Sequence, residues 1–285
     1  MPNIQIRDAR YFQIAFQALF LLYGIFYLDW NNDLSCFAIY FITCLTTQLI
    51  CELFRNNFSF SSLQIIKYGT WKSTLITSFG LCLLLKTTHW SFAILAAVIA
   101  ISSKYLLTWN KKHMVNPSAM GIVAAIRLTH QAWISPGQWG SSIVLFFMIT
   151  CLGIIVVTKV QKADVSLTFL GTYITLLFCR QILYQGWPLD FFFQSVTTGS
   201  LLLFSFFMIS DPKTTPNHSY ARIIYAIIIG GISFYFSAFK FINGAPVWVL
   251  VFASPIVPIL DWLFVAKRFS WIHNTTSFTH KIVSL

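Results

Sequence analysis

KKHMVNPSAMGIVAAIRL runs from Lys111 to Leu128. Two lysines and a histidine lead into an Asn-Pro pair, and an apolar stretch follows. Asn is a favoured N-cap and Pro a favoured first helical residue, so the spacing predicts a helix that opens at Pro117. From there to Leu128 it is about 18 Å long at about 1.5 Å per residue. That is too short to cross alone a hydrocarbon core about 30 Å thick. Its continuation, THQAWISPGQWG from Thr129 to Gly140, is polar and rich in turn formers.

The surroundings give this short helix its meaning. Apolar stretches recur near 11–28, 34–51, 70–86, 89–103, 117–128, 141–158, 165–180, 190–209, 221–240 and 245–265. The chain is 57% hydrophobic and 9% charged, with a mean hydropathy of +0.72; soluble domains average roughly 25% charged residues. The basic residues alternate strictly. Arg7, Arg10, Arg55, Lys67, Lys72, Lys104, Lys111, Lys112, Lys159, Lys162, Lys213, Arg222, Lys267, Arg268 and Lys281 fall on one side, and Lys86, Arg127, Arg180 and Lys240 on the other, a split of 15 to 4. The positive-inside rule then puts both termini in the cytoplasm.

The expected fold is therefore all-α, a polytopic membrane protein of about ten transmembrane helices forming a single transmembrane domain over 1–285. An even count divides into two five-helix halves, 11–128 and 141–265. Two odd-numbered sets in series have opposite orientations, which permits an inverted repeat. Arg7, Asp8 and Arg10 lead straight into a full-length span with no small-residue cleavage pattern, so the first span is expected to remain in the mature protein. The same charge placement accounts for the net charge of +11 through orientation and membrane lipid headgroups, and nucleic acid is not an expected partner.

The six cysteines, Cys36, Cys44, Cys51, Cys82, Cys151 and Cys179, lie in or at the ends of apolar stretches and form no CxxC pair. They read as packing residues, and no metal site is expected. No nucleophile elbow, phosphate-binding glycine loop or HExxH is present, and every Asp, Glu, Lys and Arg lies near the end of a span. A self-sufficient proton relay is disfavoured by that distribution. Trp30 follows the first span, and Trp109, Trp133, Trp187 and Trp271 mark other span ends, where aromatic rings ordinarily anchor to the interface.

Backbone interruptions at membrane depth must be buried in protein or line a cavity. At Asn116-Pro117 two readings stand side by side: an ordinary short helix, or a half-helix presenting free N–H groups to a ligand. SDPKTTP, Ser210 to Pro216, forms a second interruption, where Asp211 can cap a turn and Lys213, Thr214 and Thr215 add donors; a connecting turn needs only part of this. Pro246, Pro255 and Pro258, with Gly230 and Gly231, form a third, explained by kinks and close helix contact.

Lys111 to Val123, the run FFMISDPKTTP…ARIIYAIIIGG and VPILD, Val257 to Asp261, resemble the RnfD/NqrB family, which comprises membrane components of Rnf electron-transport complexes and of sodium-pumping NADH:quinone oxidoreductase. Asn116, Pro117 and Gly121 match its Asn-Pro…Gly, Ser210 to Thr214 its Thr-Asp-Pro-x-Thr turn, and Arg222 with Gly230 its Arg…Gly pair. The front end, Asp8 to Gly24, is similar to stand-alone relatives associated with enediyne biosynthesis. The resemblance implies ten helices in two inverted sets of five, a bacterial cytoplasmic (inner) membrane location, and electron transport with redox partner subunits or a flavoprotein.

In flavinylated members a Ser-Gly-Ala-Thr motif carries FMN on its Thr. The aligned residues here are Thr198, Gly199, Ser200 and Leu201. A hydrocarbon replaces the acceptor hydroxyl, so covalent FMN at Leu201 is chemically excluded and the implied cofactor is a non-covalent flavin, riboflavin or FMN. Expected contacts are Asn116, Gly121, Asp211, Thr214 and Thr215 at the inner face and Thr197, Thr198 and Gly199 in an outer pocket. No catalytic residue is expected beyond the bound flavin. Two alternatives use the same scaffold: a secondary transporter or exporter without redox activity, and a structural component that recruits a flavoprotein.

Overall fold

The computed structural model describes residues 8–30, 34–55, 70–110, 112–140, 143–267 and 269. Arg7, Lys67, Lys111, Arg268, Lys281 and Trp271, which enter the charge and anchor patterns, lie outside the described residues. The helices are α1 (Ala9–Tyr27), α2 (Leu34–Arg55), α3 (Thr70–Leu84), α4 (Trp90–Leu106), α5 (Pro117–Thr129), α6 (Ile143–Val160) and α7 (Ala163–Phe178). They continue with α8 (Leu189–Val196), α9 (Gly199–Leu203), α10 (Ser219–Lys240), α11 (Ala245–Phe252) and α12 (Ile256–Leu263). Two helices run on as π-helix, α7 through Cys179–Tyr184 and α9 through Phe204–Met208.

The chain is a multi-pass helical membrane protein. Among the described residues five helices are long and apolar enough to cross a bilayer: α1, α2, α6, α7 with its π extension, and α10. Counting α8 with α9, bent by 45°, and α11 with α12, bent by 58°, brings the number to as many as seven. Shorter apolar helices, α4 and α5, lie beside them. The expectation of an unbroken eighth span is corrected by the first of these bends, whereas the second falls at the interruption expected around Pro255. Thr197 and Thr198 fall in the first, and Ala253 to Pro255 in the second. Pro246 sits in the first turn of α11, where a missing N–H costs nothing, so it starts a helix and does not kink one.

The mostly helical fold also carries two short antiparallel ladders. β1 (Leu85–Thr87) pairs antiparallel with β4 (Ala132–Ile134), Leu85 opposite Ile134, and β2 (Thr108–Trp109) pairs with β3 (Lys112–His113). These ladders satisfy backbone groups left over where α3 and α5 end and where α4 turns into α5. A single-turn 3-10 helix, Pro136–Trp139, follows β4.

Glycines set the closest approaches. A Cβ on Gly121 would lie 2.6 Å from the Ala96 carbonyl oxygen and 2.7 Å from Ala100 Cβ, so α4 and α5 touch backbone to backbone. Gly153 of α6 receives the Phe206 ring in the same way, 2.6 Å from an added Cβ. Gly24 makes room for the Trp30 indole. Trp30 is consequently 5% exposed and packs edge-on to Trp139 with centroids 5.0 Å apart. It is a core residue, whereas Trp109, Trp133 and Trp187 remain exposed as anchors do.

Candidate functional site

Helix order and side-chain contacts gather the start of α1, α3, α5, α7 and α10 and the end of α4, α6 and α12 at one face. It carries Arg10, Lys72, Lys104, Lys112, Lys162, Lys213 and Arg222, and is here called the basic face. The segment Ser210 to Asn217 closes it. Asp211 organises that turn: its carboxylate accepts from the Lys213 N–H at 2.9 Å, and its carbonyl accepts from the backbone N–H groups of Thr214 and Thr215, both at 3.1 Å. The Thr215 hydroxyl donates to the same carbonyl at 3.0 Å. Burial pushes the Asp211 carboxyl up, against the pull of the Lys213 N–H and of Lys213, Lys104 and Lys112.

Three cations clamp the carbonyls that follow. Lys112 Nζ donates to the Thr215 carbonyl, Lys162 Nζ to Pro216 at 3.1 Å and the Arg222 guanidinium to Asn217 at 2.8 Å. Lys112 also pairs with Asp261 at 2.7 Å, and Arg222 with Asp164 at 2.6 Å. The second Asp261 oxygen accepts from the Asn217 N–H at 2.8 Å. Burial, with the neighbouring Arg222 and Lys112 charges, lowers the Lys162 ammonium to about 7. The cations counted in the sequence as orientation signals thus also hold one buried turn.

The two interruptions of the sequence meet. Asn116 caps α5, its Oδ1 accepting from the Ala119 N–H at 3.1 Å and the Ser118 hydroxyl at 2.9 Å. Its amide donates to the Met208 carbonyl at 3.2 Å. Met208 ends the π-helix, where carbonyls lack helical partners, and Asp211 N–H donates to the same oxygen at 3.3 Å.

Beside this junction, toward the basic face, lies a cavity of 630 Å³. Gln13 and Gln17 of α1, Gln48 and Glu52 of α2, Ser73 and Thr77 of α3, Lys104, His113, Asn116 and Asp211 line it. Gln48 donates to Glu52 at 3.2 Å and Tyr105 to Glu52 at 2.8 Å. His113 Nδ1 donates to the Lys104 carbonyl, 3.1 Å away; burial and the charges of Lys104 and Lys213 lower its imidazole to about 4.

Toward the opposite face a second cavity, 440 Å³, is walled by Tyr173, Gln181, Trp187, Thr198, Leu201, Phe204, Phe241 and the start of α11. Gln181 belongs to the π-helix that extends α7; such turns frequently mark functional positions. Its amide nitrogen donates to the Ser195 hydroxyl at 3.3 Å, while Oε1 is buried with no partner. Gly80 lines the first cavity and Leu84 the second. One turn of α3, about 6 Å at about 1.5 Å per residue, separates them. On the other side Phe207 and Phe204 stand in the same relation.

The expected site residues divide between lining and scaffold. Asn116 and Asp211 line the basic-face cavity, and Thr198 lines the opposite one. Gly121 is committed to the contact between α4 and α5, Gly199 to making room for the Trp139 ring, which an added Cβ would approach to 2.7 Å, and Thr214 and Thr215 to the Asp211 turn. Thr197 donates to the Phe193 carbonyl at 2.8 Å in the bend. The two groups of residues do not form a single site. Sequence reasoning passed over Gln13, Gln17, Gln48, Lys104 and Gln181. Gln13 with Gln17, and Gln48 with Glu52, are spaced i, i+4 within apolar helices, a polar stripe that could have been read.

A membrane subunit with broken spans converging on two cavities, one polar and one mainly apolar, is the class these features define. The chain belongs to the NQR2, RnfD, RnfE family, whose model matches residues 121–270, just over half of the 285. It is an Rnf/Nqr-type membrane subunit. The match includes Leu201, the Asp211 turn, Arg222 and Asp261, and begins after Asn116 and Pro117. No curated protein matches the chain.

Proposed function

We propose that this chain is an electron-transport subunit that holds riboflavin or FMN non-covalently in the 440 Å³ cavity and exchanges electrons with redox partner subunits. One observation carries the reading. Leu201, aligned with the flavin-bearing Thr of the family motif, stands in the wall of that cavity beside the unpartnered Gln181 carbonyl. The volume falls within the range of about 300–1,000 Å³ usual for ligand pockets, and a mainly apolar, aromatic wall with a few polar groups is the usual composition. Phe204, Phe241 and Trp187 would hold a planar ring and exclude water, and Gln181 would accept from a ring N–H. Bound flavin would supply the electron chemistry, and the protein its position and electrostatics.

The same reading places ten crossings in two inverted halves, 11–128 and 141–265, with the basic face in the cytoplasm of a bacterial cell and the chain in its inner membrane. In support, the fifth helix of each half is short and has Pro in its first turn, α5 with Pro117 and α11 with Pro246. The two pack together.

The test is purification in mild detergent followed by absorbance and a denaturing gel. Flavin that is present before and released by denaturation supports the proposal, and Leu201→Trp should then reduce flavin content. Flavin that stays fluorescent on the gel refutes non-covalent binding. The thin partition between the cavities favours a second reading, a secondary transporter; colourless protein that moves a solute in liposomes would establish it instead.

A further inference from the structure

Lys104 is 6% exposed. Its ammonium donates to the Ser73 carbonyl at 3.2 Å and lies 3.4 Å from the Ser73 hydroxyl. Among the described residues no carboxylate lies within 4.0 Å of it. Asp211 acts on it only at longer range. A buried ammonium is costly unless an anion accompanies it, and this one lines the basic-face cavity.

Two acceptors share the cavity. Gln17 and Gln48 are 4% and 5% exposed, and the Oε1 atom of each is buried without a partner. Leaving a buried acceptor unmade is unfavourable in the same way. Lys104 seeks an anion, while the two carbonyls seek N–H or O–H donors. The cations Arg10, Arg55, Lys104 and Lys213 outnumber the carboxylates Glu52 and Asp211 on the wall. At 630 Å³ the space also exceeds what a bare ion needs.

We infer that the basic-face cavity is a binding site for an organic anion bearing hydroxyl groups, of the phosphoglycerol kind, with its phosphate on Lys104 and its hydroxyls on Gln17 and Gln48. This chemistry occurs both in a soluble glycerol phosphate and in the headgroup of phosphatidylglycerol. The inference is independent of flavin in the other cavity, from which this one is separated by a turn of α3.

The full chain in phosphatidylcholine nanodiscs is titrated with glycerol phosphate, followed by 31P line broadening. In parallel, the chain from vesicles containing phosphatidylglycerol is examined by native mass spectrometry for retained lipid. Broadening by wild type that weakens about tenfold or more, equivalent to about 1.4 kcal/mol, in Lys104→Met establishes the site with a soluble source. Retained phosphatidylglycerol lost in Lys104→Met establishes it with a lipid source. Thermal unfolding verifies that the variant folds. If it does not, Gln17→Glu, which keeps the lysine and sets a negative charge against the ligand, should weaken binding by a similar factor. Absence of both signals in wild type, or equal signals in wild type and a folded variant, overturns the inference.

Discussion

The Asn116 amide donates to the Met208 carbonyl across 3.2 Å, joining residues 92 positions apart. One is the cap of a short helix and the other the last residue of a π-helix, whose carbonyl also accepts from the Asp211 N–H at 3.3 Å. Helix ends leave carbonyls and N–H groups without partners, and in lipid no water replaces them. Joining the two ends pairs groups that the two breaks leave over.

Asn116→Ala should remove the cap and the bridge together, whereas Asn116→Ser keeps a capping oxygen but is too short to reach Met208. Losing a cap costs about 1 kcal/mol, and losing the second bond to the Met208 carbonyl, which keeps the Asp211 N–H, adds about 1 kcal/mol. Thermal unfolding in detergent should rank wild type above Ser and Ser above Ala. Equal stability of the two variants would remove the bridge from the account.

Asp261→Asn should destabilise by about 1.5–3 kcal/mol, the usual worth of a hydrogen bond to a charged group. Lys112 would lose its carboxylate beside the Thr215 carbonyl. Asp190→Asn, an exposed change in the first turn of α8, should stay within about 0.5 kcal/mol. Comparing the two unfolding midpoints tests whether the Ser210 to Asn217 turn depends on its clamps.

His113 should titrate near 4, well below its ordinary 6.5, since burial and the cations Lys104 and Lys213 disfavour the imidazolium. Between those values the unfolded chain binds more protons than the folded one, so stability rises with pH across the window. The contribution is complete above pH 6.5 and lost as pH falls through about 4. NMR titration of the imidazole reads the value directly, and His113→Gln should flatten the acid limb of the stability profile.

Gly121→Ala and Gly199→Ala should both destabilise, by about 1–3 kcal/mol for an overpacked contact. At Gly121 the obstruction is the Ala96 carbonyl, and at Gly199 the Trp139 ring. Backbone yields less readily than a ring, so the Gly121 change should be the larger. Unfolding that leaves both variants at wild-type stability would contradict the packing roles assigned here.

The membrane character of the chain and two of its breaks were legible because their signals are local. Apolar length, charge placement, and Asn or Asp beside Pro act within a few residues. The bend at Thr197-Thr198 and the π-helices lack such a marker, since the residues of FSFFM fit an α-helix equally well. Trp30 looked like an anchor until Gly24, six positions earlier, placed its ring in the core. The site was legible only in part. Asn116, Asp211 and Thr198 do line cavities, but Gly121 and Gly199 owe their importance to what touches them from other helices. Lys104 reads as an ordinary orientation charge; only the packing of α2, α3 and α5 against α4 turns it into a buried cation.

Gly80 and Leu84, facing different cavities from one helix, have an electrical consequence. A membrane voltage falls across insulating material and hardly at all across polar space. About 100 mV is worth about 2.3 kcal/mol per elementary charge, and under the transporter reading proposed above a charge passing between the cavities would cross the step of about 6 Å from Gly80 to Leu84. On that reading, turnover in proteoliposomes should respond to an imposed potential, and Leu84, Phe204 and Phe207 would form the dielectric barrier.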